Sequence, residues 1–200
     1  MEISAVDICN RALTEYLGVR PIMSLDERTD AGKACKQHYE AARRDALAGD
    51  LWRFASTYKD GVASSLQPKA PWSYVFAYPP DAIRVFEIQR ATSEDPIIPF
   101  EVTARPDGSD GKLIHCNVES PVFIYTIDRP NPVSFDAEFV AAMAALLAVK
   151  MAMPLTKSIK VKQAAQADYA RLRSIAVTRA SSEGSNGADP YGFHHTARGE

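Results

Sequence analysis

Cys35-Lys36-Gln37-His38 places a thiol and an imidazole at the spacing of a zinc-ligand pair. A closed zinc site needs four such ligands, usually from a second spaced pair. The other donors are His115-Cys116, adjacent on a predicted strand and therefore directed to opposite faces, and His194-His195 near the C-terminus. These read as two half-buried helix residues and a solvated histidine pair, so no metal and no cofactor is expected. The three cysteines, Cys9, Cys35 and Cys116, are odd in number, widely spaced and without a CxxC pair, which predicts reduced, mostly buried thiols. No phosphate-binding glycine loop, nucleophile elbow, HExxH or EF-hand pattern occurs. Carboxylates are plentiful, but no spacing singles out one pair as general acid and base. No catalytic residue is assigned.

Two other groups of residues invite a role. Lys157, Lys160 and Lys162 crowd the start of a predicted helix, where the dipole disfavours cations by roughly a few tenths of a kcal/mol each. A solvated face is the simple reading, and contact with DNA or an acidic partner the alternative. Tyr191 and Phe193 stand in a C-terminal stretch otherwise too polar to fold. Aromatics in such arms often serve as anchors on a partner.

The whole chain bounds what these residues can do. Its 200 residues suffice for one large domain or two small ones. Apolar residues make up 46% and charged residues 24%, with a formal net charge of −2, so the bias of a dedicated nucleic-acid binder is missing. The N-terminus shows no basic leader followed by an apolar stretch. The most apolar run, Phe139 to Met153, falls short of the roughly 20 residues of a membrane span and contains Lys150. A soluble product made in the cytoplasm, without membrane contact, is the expectation.

The elements follow from periodicity and punctuation. Ser4 and Asp7 form a capping-box pattern, and Val6, Cys9, Leu13 and Tyr16 make one helical stripe that Gly18 and Pro21 end. A second helix is predicted from about Thr29 to Ala48, with Cys35, Tyr39, Ala42 and Ala46 inward and Glu40 able to pair with Arg44. From about residue 56 to 130, short β-type runs alternate with Pro and Gly; the clearest are 82–89, 98–104, 112–118 and 122–128, the middle two joined by Pro106-Asp107-Gly108-Ser109-Asp110-Gly111. Helical periodicity returns at Ser134, a plausible N-cap. Phe135, Phe139, Ala142, Leu146, Val149 and Met153 then trace a seam, Pro154 breaks the helix, and a fourth runs from about Ser158 to Ala180. The fold class expected is α+β: a discontinuous helical bundle from residues 1–55 and 132–180, an antiparallel sheet or small barrel inserted at 56–131, and a C-terminal arm at 181–200.

Ser4-Ala5-Val6-Asp7-Ile8-Cys9-Asn10-Arg11-Ala12-Leu13, followed by Leu17-Gly18, Pro21-Ile22 and Ser24-Leu25-Asp26, closely resembles the opening of the phage tail tubular protein A-like family. The resemblance continues through Cys35, Tyr39, Arg43 to Leu47 and Trp52-Arg53-Phe54-Ala55. It resumes at Tyr78-Pro79-Pro80-Asp81-Ala82-Ile83-Arg84-Val85 and again from Phe135 to Ser158, above all Met153-Pro154-Leu155-Thr156-Lys157-Ser158. It covers both helical ends and the entry to the β module, and is weak from about 90 to 120. Leu51 and Pro79 depart from the residues common in the family.

The resemblance implies a structural virion protein, the head-to-tail adaptor of short-tailed double-stranded-DNA bacteriophages. Such subunits form a ring, usually dodecameric, between the portal protein above and a tail nozzle similar to tail tubular protein B below. DNA passes through the lumen without specific binding. Family chains often end in an aromatic-plus-Arg arm, which implies partner-binding roles for Tyr191, Phe193 and Arg198. Two other classes make different demands. A tail-borne peptidoglycan hydrolase needs a cleft with paired carboxylates, one with a raised pKa. A DNA-binding protein would use the three lysines and bind in a salt-dependent way.

Overall fold

Ser4 caps the first helix from both directions: its Oγ accepts from the Asp7 N–H at 3.2 Å, and its own N–H donates to Asp7 Oδ2 at 2.9 Å. The computed structural model describes residues 3–91 and 95–182. Helix α1 (Ala5–Arg11) widens into a π-helical turn over Ala12–Tyr16. The extra residue in that turn shifts the stripe. Ile8, Cys9, Ala12, Leu13 and Leu17 are buried, while Val6 and Tyr16, expected inside, are only partly covered. Gly18 adopts φ +62, a left-handed conformation that suits a residue without a Cβ. The Asn10 carboxamide then staples the returning chain, donating to Ile22 O at 2.9 Å and accepting from the Ile22 N–H at 2.7 Å.

Helix α2 (Asp30–Gly49) begins at the Thr29 cap, whose hydroxyl accepts from the Gly32 N–H, and its predicted inward residues Cys35, Tyr39, Ala42 and Ala46 are all buried. The expected Glu40–Arg44 pair is replaced by Glu40–Arg43, one residue earlier. Arg43 is 2% exposed and reaches out of the bundle, with its guanidinium on Asp128 and on the Arg129 carbonyl, the latter at 2.8 Å. Glu40 pairs with it from the same helix, and the chain returning from the β region supplies its other two partners.

Six strands follow: β1 (Ser56–Asp60), β2 (Tyr74–Ala77), β3 (Ala82–Ile88), β4 (Phe100–Ala104), β5 (Lys112–Cys116) and β6 (Val122–Ile127). They form two antiparallel three-stranded sheets, ordered β1-β6-β3 and β2-β5-β4. The last four strands match the runs expected, and the turn between β4 and β5 places Gly108 at φ +75 and Gly111 at φ +118. Between the sheets lies a core of Phe76, Val85, Ile88, Ile114, Cys116, Phe123 and Tyr125, where Phe76 and Phe123 meet edge to face at 5.8 Å.

A 3-10 turn, Pro132–Ser134, precedes helix α3 (Ala137–Thr156), so Ser134 is not its N-cap; Asp136 is. Pro154 does not break the helix. It sits in the last turn, where few following residues depend on the ladder, and α3 ends at Lys157 in the left-handed conformation, φ 53. At 20 residues and a mean hydropathy of 1.8, α3 is long and apolar enough to cross a membrane, which the shorter run in the sequence did not suggest. Here it is the core helix, packed against α1, α2 and helix α4 (Ile159–Ser182). Its largest fully covered residues are Phe139, Met143, Leu147 and Met151. The predicted seam holds at Phe135, Phe139 and Ala142, then drifts: Leu146 and Val149 are half-buried and Met153 is 42% exposed. Small residues Ala165 and Ala176 let α4 lie close against it. The protein is α+β, helices from both ends of the chain packing together with antiparallel sheets between them.

Candidate interaction surface

Of the metal donors read from the sequence, His194 and His195 lie outside the described residues, and the others do not converge. Cys35 lies within the bundle with its Sγ 3.7 Å from Met151 Sδ, while His38 is only half-buried on the same helix. Among the described residues, no three His, Cys, Asp or Glu side chains gather as a metal site would require. A hydrogen bond with the neighbouring Cys35 thiol, reinforced by burial, raises the Cys9 thiol far above the usual cysteine range. Cys116 donates to Val118 O at 3.5 Å and packs between the sheets.

His115 anchors a polar cluster on the other sheet. It is 3% exposed, its Nδ1 accepts from the Lys69 N–H at 3.3 Å, and its Nε2 lies 3.0 Å from Thr103 Oγ1. An Nδ1 that accepts carries no proton, so Nε2 bears it and donates to Thr103. Glu101, the cross-strand neighbour of His115, takes a hydrogen bond from Trp72 Nε1 at 2.9 Å and an ion pair from Lys69. Each donor has an acceptor within the cluster, and together they tie the 69–73 segment to β4 and β5. Burial lowers the His115 pKa, with Lys69 adding to the shift and Glu101 opposing it.

The folded state therefore resists the proton that the unfolded chain accepts below about 6.5. The stability held at this site is complete above that pH and declines as pH falls through it. Urea midpoints should fall between about pH 7 and 5, and His115→Gln, which does not titrate, should flatten part of that slope. An unchanged slope would place the titration elsewhere, with half-buried His38, also lowered by burial, the next group to test.

The carboxylates displaced from their usual range include Asp7, Asp26, Glu101, Asp107, Asp128 and Glu138, and all six move downward. The leading cause in each is a donor at the carboxylate: Ser4, Lys36, Lys69, Arg105, Arg43 and the Glu138 backbone N–H respectively. A general acid needs the opposite displacement. Lys157, Lys160 and Lys162 mark the turn from α3 into α4; the first two are exposed and the third half-buried.

A groove of about 1020 Å³ opens beside β1. One wall is the face of the β1-β6-β3 sheet turned away from the inter-sheet core. There Tyr58, Ile124 and Glu87 stand in register across the three strands, with Phe86 at an irregularity beside them. The opposite wall is Val177 and Ala180 of α4, and Gly49 to Leu51 with Arg53 close one end. Two arginines hold the walls in place. Arg173 grips Asp50 through Nε at 2.6 Å and Nη2 at 2.9 Å, and Arg53 Nε donates to Ala180 O at 2.6 Å. Tyr58 is 74% exposed at the rim.

Of the residues assigned from the sequence, Tyr191, Phe193 and Arg198 lie outside the described residues, as does nearly all of the 181–200 arm. The groove residues had no signal of their own: Tyr58 sits in the polar run Ser-Thr-Tyr-Lys-Asp, and only its pairing with Ile124 reveals an apolar face. No protein-family model matches the chain, and no curated protein matches it in sequence.

Proposed function

We propose that this chain is a structural subunit of a bacteriophage tail, the adaptor that forms a ring between portal and nozzle at the head-to-tail junction of the virion. One observation carries the reading: motifs resembling the phage tail tubular protein A-like family occur in order along the chain, from Ser4 to Ser158. Several of those residues sit at joints of the fold. Asn10 staples the first loop, Trp52 Nε1 donates to Ala46 O at 2.8 Å where α2 ends, and Asp81 receives the Tyr125 hydroxyl at 3.2 Å at the start of β3. The charge balance agrees with a conduit, because a lumen that gripped phosphates would release counterions, gain affinity and slow the passage of DNA.

α3 is covered on its several sides by its own chain, which leaves ring contacts to smaller surfaces. Purified alone, the protein should be monomeric or a weak small oligomer by size exclusion with light scattering, and should form rings on its portal by electron microscopy. A stable dodecamer without portal would overturn templated assembly, and failure to bind the portal would overturn the adaptor reading. A cleared zone in a peptidoglycan zymogram would instead favour the hydrolase.

A further inference from the structure

The connector between β1 and β2, residues 61–73, is held to the β2-β5-β4 sheet at three places. Near its start, the Ala77 N–H donates to Val62 O at 2.8 Å and the Ser64 N–H to Val75 O at 3.0 Å, which lines the outer edge of β2. At its end, the Ser73 N–H donates to Asn117 Oδ1 at 2.9 Å. Between these anchors, the Lys69 N–H donates to His115 Nδ1 and Trp72 Nε1 to Glu101. Those two bonds lay the connector over the sheet face turned away from the inter-sheet core. Ile114 and Cys116 belong to that core, so strand alternation directs Leu113 and His115 to the opposite face, where Val75 is the register partner of His115. All three are buried.

The middle hold depends on one missing proton. His115 Nδ1 accepts from Lys69, and Nε2 donates to Thr103 Oγ1. A second proton, on Nδ1, would set one N–H against another in a site that solvent hardly reaches. The groups around the ring are Lys69 from the connector, Glu101 and Thr103 from β4, and Val75 from β2. The Lys69 ammonium opposes a second cation. Glu101 favours one, but its two oxygens are already engaged by Lys69 Nζ and Trp72 Nε1. Beside this cluster, a cavity of about 580 Å³ is lined by Leu66, Pro68, Tyr74 and Phe76 among others. The first half of the connector therefore borders open space, and little packing resists its release.

We infer that residues 65–73 form an acid-released strap: a solvent proton taken up by His115 Nδ1 breaks the bond to Lys69, and the strap swings off the sheet between its anchors at Ser64 and Ser73, uncovering Val75 and Leu113. Neither anchor titrates, so the release is local. With the strap open, the imidazole takes its proton at the ordinary value of about 6.5. The strap is thus closed above that pH and opens progressively below it. The inference needs only this cluster and holds or fails independently of the adaptor reading.

Hydrogen exchange of the full chain, read by mass spectrometry and corrected for the intrinsic pH dependence of amide exchange, tests it. Protection of residues 65–73 should fall roughly tenfold between about pH 7.5 and pH 5. The α3 amides should remain far better protected throughout, which marks the opening as local. In His115→Gln, whose amide oxygen can accept from Lys69 at any pH, the protection should be flat. Lys69→Gln keeps the backbone N–H but removes the opposing charge, so its fall should move towards neutral pH. That variant changes an exposed side chain and decides alone if His115→Gln does not fold. Flat protection in the unmodified chain overturns the proposal, as does a fall that persists in folded His115→Gln. A Lys69→Gln protein that loses protection equally at every pH, or whose fall does not move, overturns it too, because the strap would then be held by contacts that the His115 proton does not govern.

Discussion

Leu147→Asp is expected to leave no soluble, folded protein. Leu147 is 0% exposed at the centre of α3, in the helix layer that contacts α1, α2 and α4. A carboxylate there has neither water nor a cationic partner. Such burial costs several kcal/mol, against a total domain stability of about 5–15 kcal/mol. The adjacent substitution makes the prediction sharp. Leu146 is half-buried, so an Asp there can turn towards solvent, and Leu146→Asp should remain soluble with a loss of about 1–3 kcal/mol. Expression in the soluble fraction, followed by urea titration of whatever is soluble, compares the two. Equal outcomes, or a soluble Leu147→Asp protein with an unchanged midpoint, would mean that α3 is rotated from the orientation described.

Phe139→Ala should cost about 3–5 kcal/mol and reach both parts of the molecule. Phe139 is fully buried, with ring centroids 4.9 Å from Trp52, 5.0 Å from Phe54 and 5.0 Å from Phe135, all near edge-to-face. Trp52 and Phe54 belong to the turn from which the chain enters β1, and Phe135 follows the turn by which it leaves β6. The cluster therefore clamps both crossings between helices and sheets. Truncation should lower the melting temperature and shift Trp52 emission to the red as water gains access, while Phe139→Leu, which keeps most of the buried volume, should lose less than half as much. Unchanged melting in Phe139→Ala would show that the crossings are held elsewhere, with Arg43 on Asp128 the first place to look.

Much of the local structure was legible because its causes are local. The Ser4 capping box, the Gly18 stop, the helix start near Thr29 and the inward row of Cys35, Tyr39, Ala42 and Ala46 each depend on residues within a turn or two, and each occurs as read. Strands β3 to β6 were visible for the same reason, with apolar β-formers bounded by Pro, Gly and Asp. The same reasoning fails where a residue's role is set by a distant neighbour. β1 and β2 escaped notice, since β1 is polar and largely exposed and β2 has only four residues; each is a strand because β6 and β5 supply a ladder.

α3 is the instructive failure. A helix apolar on nearly every side has no polar face to orient it, so a spacing of alternating fours and threes picks Leu146 and Val149 as readily as Leu147 and Met151. The choice falls to the helices that surround it. Lys150 sits among them by ion-pairing with Asp45 of α2 at 2.6 Å. The burial of Arg43 was invisible for a related reason, because two of its partners, Asp128 and the Arg129 carbonyl, lie 85 and 86 residues away in the chain. The candidate surface depends most on tertiary placement: Tyr58, Ile124, Phe86 and Val177 come from four separate segments. By itself the sequence determined the helices, four of the strands, the α+β class and a tail bearing two aromatics. Only the tertiary structure decided which side of α3 is buried, what neutralises Arg43 and where a groove opens beside the end of α4, because those outcomes depend on contacts between segments that no local spacing records.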